Sequence, residues 1–125
     1  MIAIDLKNFV KEYWAAISGK PKTISLLEKY ISDPELIGHI MGYEKPFPAY
    51  ELVADDFICE DDKIVVRACF KGVHKGELMD MPPTGKSIEV PFSVIYQIQD
   101  QKIVKSWLFI DQMEVMNQLA LSSNN

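Results

Sequence analysis

Three side chains in this sequence have the chemistry to move or hold a proton at neutral pH inside an apolar setting: Asp111, His39 and His74. Asp111 closes the alternating run Ile103, Lys105, Trp107, Phe109 and Asp111. The period-two geometry of a strand puts it on one face with Trp107 and Phe109. A carboxylate beside apolar rings is desolvated and its pKa raised, which suits a general acid or base near neutral pH. A competing role is open: Asp111 stands where it could cap a following helix, accepting N–H bonds from Met113 or Glu114. Capping lowers the pKa that burial raises, so the two roles pull against each other.

His74 follows Phe70 and Gly72 on one strand face, near one end of any pocket, unless Gly72 or Gly76 introduces a bulge. His39 borders the apolar face of a predicted helix, about 60° from Leu36 at 100° per residue. Either could donate to a substrate oxygen, although a lone histidine at an apolar edge is more often an ordinary hydrogen-bonded side chain. Tyr13, Trp14, Phe70, Phe92, Tyr96, Trp107 and Phe109 are candidate pocket walls, with simple core as the alternative for most. Met79 and Met81 bring flexible thioethers suited to apolar ligands, or to plugging a cavity or meeting a partner subunit. Gly85-Lys86-Ser87 is not a phosphate loop, because that motif needs a glycine where Asp80 stands and must open a helix. Two histidines without shared helical spacing and no Cys-x-x-Cys predict no metal site, and no dinucleotide fingerprint is present.

The elements that must position these residues are legible from periodicity. Leu6, Phe9, Val10, Tyr13, Trp14 and Ile17 form one face of a helix ending near Gly19. Thr23 caps a second helix carrying Ile24, Leu27, Tyr30 and Ile31, and Asp33-Pro34 opens a third with Leu36, Ile37, Ile40 and Met41. Beyond Pro48 the period becomes two. Residues 50–60 and 63–72 pair around Asp61-Asp62, although Asp55-Asp56 weakens the first. A second hairpin runs from Ile88 to Ile98 and from Ile103 onward, turning at Asp100-Gln101. A short helix over 113–121 and a frayed tail at 122–125 follow. Helices followed by a strand meander, with no βαβ alternation, predict a single α+β domain over residues 1–121, its helices on one face of an antiparallel sheet.

The 125 residues are 48% hydrophobic, enough for one core without staples. A net charge of -5 with scattered Lys and Arg argues against nucleic acid and anionic membranes. The start lacks a basic segment followed by an apolar run, which makes the cytoplasm the default location. In the predicted register Cys59 opposes Ile64 and Cys69 opposes Ala54, so buried thiols are expected rather than a disulfide. Val65, Ile95 and Leu108 are expected on the outer sheet face, where a homodimer would cover them.

From Val66 to Leu119 the chain resembles the SnoaL-like polyketide cyclase family, within the nuclear-transport-factor-two-like superfamily. The resemblance rests on Phe70-Lys71-Gly72-Val73-His74-Lys75-Gly76-Glu77, Pro83-Thr84-Gly85-Lys86, Ile95-Tyr96-Gln97-Ile98-Gln99-Asp100, Lys102-Ile103, Trp107, Asp111 and Met116-Asn117-Gln118-Leu119. It implies a cone-shaped curved sheet and three N-terminal helices around a pocket, a short C-terminal helix, frequent dimers, and ring closure by aldol condensation without metal or cofactor. The position matching the family's acid/base aspartate is Asp111. Asp80 stands where a glycine is common, putting a charge on the loop over the expected pocket mouth. Asp100-Gln101-Lys102 replaces an Asp-Gly-Lys turn. Isomerases, dehydratases and binding modules share the superfamily, so fold analogy leaves the reaction open. The expectations are a cofactor-free cyclase or isomerase acting on a small apolar carbonyl or ester, a binding module with the same pocket, or an interaction domain whose cone is filled by Met79, Met81 and aromatic rings.

Overall fold

The computed structural model describes residues 3–121. The sequence expectation for the tail at 122–125 lies outside them. Helix α1 (Ala3–Ile17) buries Leu6, Val10, Tyr13, Trp14 and Ile17, the predicted stripe. It stops at Gly19, whose φ of 69° suits glycine and whose N–H reaches Tyr50 O at 2.9 Å. Thr23 caps α2 (Ile24–Leu27) by accepting the Leu26 N–H at 3.2 Å. That helix is shorter than its apolar pattern predicts. Tyr30 and Ser32 give their backbone to Ile103 instead, with Ile103 N–H donating to Tyr30 O and Ser32 N–H donating to Ile103 O. Tertiary pairing thus outweighs local helix propensity at Tyr30 and Ile31. Asp33 caps α3 (Pro34–Glu44) with Pro34 at its first position, as expected.

Strands β1 (Glu51–Glu60), β2 (Lys63–Val73), β3 (Ser87–Gln99) and β4 (Lys102–Ile110) form an antiparallel meander in that order. Its helix-facing side carries Ile64, Val66, Ala68, Phe70, Val90, Phe92, Val94 and Tyr96 into one core with α1 and α3. The chain is an α+β fold.

Two single-residue bulges change what faces where. The first falls at Asp55, where both members of the acidic pair meet Arg67, whose Nε donates to Asp56 Oδ2 at 2.7 Å. Cys59 opposes Ile64 as predicted, but the bulge slides Cys69 opposite Val53 rather than Ala54, and no disulfide joins the two. The second bulge falls at Val104, since Ile98 opposes Ile103 while Gln97 opposes Lys105. One extra residue exchanges the two faces of everything after it. Ser106, Leu108 and Ile110 therefore point inward, and Trp107 and Phe109 point outward, the reverse of the predicted alternation. The outer face consequently presents Ile58, Val65, Ile95 and Trp107 as a row across all four strands, and Leu108 is not part of it.

The β3–β4 turn places Asp100 and Gln101 at φ values of 51° and 59°. Positive φ at both central residues is the primed hairpin geometry, in which glycine avoids a Cβ clash. Gln101→Gly is expected to stabilise the fold by up to about 1 kcal/mol, read as a higher denaturation midpoint with unchanged slope.

Helix α4 (Gln112–Leu121) packs Val115 and Leu119 on the core. Gln118 completes β3 beyond the end of β4. Its amide accepts the Glu89 N–H and donates to Glu89 O, both at 2.8 Å. Gly76 is required by close approach: a Cβ there would stand 2.2 Å from Lys45 O. Among the described residues, no helix is long and apolar enough to cross a membrane.

Candidate binding and active site

Between the helices and the sheet lies a cavity of about 60 Å³. Helix α1 contributes Tyr13 and Ile17, α3 contributes Leu36, His39, Ile40 and Tyr43, and the entry to β1 contributes Tyr50 and Leu52. The sheet supplies Phe70, Phe92, Val94, Tyr96, Leu108 and Ile110. His39, Tyr43, Leu108 and Ile110 also line an open groove of about 680 Å³, together with Ser106, Phe109, Asp111 and Gln112. Those four shared residues form the junction between an apolar interior and a polar rim. Gln112 Nε2 donates to the Tyr43 hydroxyl at 2.7 Å across the groove, tying α4 to α3.

The cavity lining is apolar except for its tyrosines and His39. Tyr13, Tyr50 and Tyr96 are nearly fully buried and all line the cavity. Burial pushes each phenol well above its ordinary range; Tyr96 and Tyr50 raise Tyr13 further, and Tyr96, Glu44 and Tyr43 raise Tyr50 further. These groups therefore stay protonated at neutral pH and act as hydrogen-bond donors rather than bases. The Tyr96 oxygen accepts the Trp14 Nε1–H at 3.1 Å, which leaves its own proton to donate elsewhere. Among the described residues, no lysine, arginine, aspartate or glutamate lines the cavity. Such a lining suits a neutral ligand carrying an acceptor oxygen, since an isolated buried anion or cation would find no countercharge.

Of the residues singled out from sequence, Tyr13, Phe70, Phe92, Tyr96 and His39 are brought together at the cavity. Trp14 stands behind it, holding Tyr96 and packing on Phe92 at 6.0 Å. Trp107 is carried outward by the Val104 bulge, under the Lys105 ammonium at 5.0 Å, and Phe109 is 61% exposed on the groove's rim. Asp111 also lies on the rim and is exposed, so the desolvation expected beside Trp107 and Phe109 is not realised. Its Oδ1 accepts the Glu114 N–H at 3.0 Å, which is the capping geometry.

His74 is fully buried away from the cavity, packed on Phe47. Its Nδ1 stands 3.0 Å from the Thr84 hydroxyl and accepts the Thr84 N–H at 3.2 Å. Its backbone continues the ladder through Lys86 O and Gly85 N–H, so Gly72 and Gly76 introduce no bulge before it. Met79 is 67% exposed and Met81 packs at the core's edge. Neither lines the cavity or the groove, and nor does Asp80, so the loop is not over the mouth and does not plug the interior.

Sequence reasoning missed Tyr43 and Tyr50. Tyr43 was within reach, continuing the helical steps Leu36, Ile40, Tyr43. Tyr50 carries no such signal, because the chain reversal after Pro48 places it.

The α+β scaffold thus encloses a tyrosine-lined, largely apolar cavity that opens on a polar rim. The family model for SnoaL-like polyketide cyclase matches residues 36–119, and the chain belongs to that family. No curated protein matches the chain. Among solved structures, AclR from Streptomyces galilaeus is similar at a TM-score of 0.82 and 21% identity, covering 96% of this chain and 83% of that one. TsrD from Streptomyces laurentii is similar at 0.79 and 20%, covering 96% and 98%. A SnoaL-like polyketide cyclase from Agrobacterium tumefaciens strain C58 is similar at 0.74 and 17%, covering 92% and 98%. At these identities the likeness is one of fold.

Proposed function

We propose that this protein is a cofactor-free, cyclase-type enzyme for a small, largely apolar carbonyl compound. The observation that carries the reading is the set of buried Tyr13, Tyr50 and Tyr96 around an apolar cavity that opens where His39 and Asp111 stand. The carbonyl oxygen enters the cavity and accepts from tyrosine hydroxyls, while the rest of the ligand lies in the groove. Asp111 takes a proton from the carbon next to the carbonyl. The C–H electron pair becomes the enolate C=C, and the displaced carbonyl pair moves onto oxygen, where the tyrosines stabilise it. The enolate carbon then attacks a second carbonyl of the same molecule, closing a ring; that carbonyl's π pair moves onto its oxygen, which takes the proton from Asp111, or the enolate carbon takes that proton back. His39, at the junction, donates to an oxygen of the second group.

The proton-removal half of this chemistry can be tested without the natural substrate. Cyclohexanone dissolved with the protein in deuterium oxide should exchange its α-protons faster than in buffer, followed by proton NMR. Binding without exchange would favour the second reading, a non-catalytic binding module. That alternative is motivated by the exposure of Asp111 and its capping bond.

The proposal extends to assembly. Ile58 is 66% exposed, and the row it begins with Val65, Ile95 and Trp107 suits a second copy of the chain. Light scattering should give twice the 14.3 kDa chain mass, and a single-chain mass at micromolar concentration would end this part of the proposal.

A further inference from the structure

Lys22 lies in the loop between α1 and α2, yet its side chain is fully buried. Its three ammonium hydrogens meet three acceptors: Tyr50 O at 2.9 Å, Lys20 O at 3.0 Å and Glu44 Oε1 at 3.3 Å. Glu44 is itself fixed, its Oε2 accepting the Ala49 N–H at 3.0 Å. The ammonium nitrogen also stands 3.8 Å from the centroid of the Tyr50 ring. Phe70 packs on that ring at 4.8 Å with planes 30° apart. Burial lowers the Lys22 pKa and Glu44 raises it again, so the countercharge helps keep the cation charged.

Stability alone does not account for this arrangement. Replacing a buried ion pair with apolar side chains of similar volume is often neutral or stabilising. What distinguishes the pair is its neighbour. Tyr50 both lines the cavity and has an ammonium against its ring, while among the described residues no lysine or arginine is part of the lining.

We propose that Lys22 is a positioning and electrostatic residue for the cavity: held by Glu44 behind the Tyr50 ring, its ammonium strengthens the Tyr50 hydroxyl as a donor to a ligand's carbonyl oxygen. This rests on the reading that the cavity takes up such an oxygen. Lys22 does not touch the ligand. A cation against a phenol ring draws electron density from it, and the effect is large where water is excluded. As negative charge grows on the oxygen, the Tyr50 hydrogen bond transmits the field of a cation already in place.

The test uses cyclohexanone labelled with carbon-13 at its carbonyl, whose resonance moves downfield as hydrogen-bond donation strengthens. Bound to the wild type, the signal should be displaced downfield. Lys22→Met should reduce that displacement by roughly half, and Lys22→Arg, which keeps the charge, should restore most of it. Glu44→Gln removes the countercharge and, read in slightly acidic buffer so that Lys22 keeps its proton, should increase the displacement. A purely structural pair would loosen Tyr50 equally from either side, so both neutralising variants would move the signal the same way. That result, or an unchanged signal in Lys22→Met, overturns the proposal. If Lys22→Met does not fold, Glu44→Gln decides: a smaller or unchanged displacement overturns it. A wild-type protein that binds no ketone, or does not displace its carbonyl signal, instead overturns the underlying reading of the cavity.

Discussion

Asp111→Asn is expected to slow protein-catalysed α-proton exchange of cyclohexanone by about a hundredfold or more, while changing the ketone's affinity little. The substitution is informative because of what it preserves. Asparagine is as good an N-cap as aspartate, so the bond to the Glu114 N–H and the start of α4 should survive. What disappears is the capacity to accept a proton. If Asp111 only caps the helix, exchange by the variant equals that of the wild type. The two roles argued from sequence are thus separated by one rate, with thermal unfolding confirming that the fold is intact.

Leu108→Trp is expected to weaken cyclohexanone binding by about ten- to a hundredfold, the loss that follows when a buried apolar ring no longer finds room. Leu108 lines both the cavity and the groove and is 38% exposed, so an indole there fills the junction without overpacking the deep core. Global stability should therefore stay within about 1 kcal/mol of wild type by chemical denaturation. Undiminished affinity would mean that ligand does not pass or occupy this junction.

Both substitutions depend on a feature that the sequence did not show. The first helix, the Thr23 and Asp33 caps, both hairpin turns and the α+β order were legible, since each is fixed by local chemistry or by a sustained period. The bulge at Val104 was not. Nothing in Lys102-Ile103-Val104-Lys105 marks an extra residue, and strand alternation alone then assigns Trp107 and Phe109 to the interior in place of Leu108 and Ile110. The bulge at Asp55 had a visible cause in the acidic pair, although its effect on register was not predicted. His39 was placed correctly at the border of an apolar helix face. His74 was displaced from the pocket by an ordinary role, bonding to Thr84. Tyr50 and Lys22, separated by the whole of α2 and α3, meet only through the tertiary fold, so no spacing rule could pair them.

On this reading the ligand's carbonyl end lies among the tyrosines, rather than on the sheet's outer face. The most direct measurement is an NMR titration of isotope-labelled protein with cyclohexanone, following the tyrosine ring signals and both indole N–H signals. Saturable shifts are expected at Tyr13, Tyr50 and Tyr96, with a response at Trp14 through its bond to Tyr96 and silence at Trp107. A shift at Trp107, with the tyrosines and Trp14 unmoved, would place the ligand on the outer face instead.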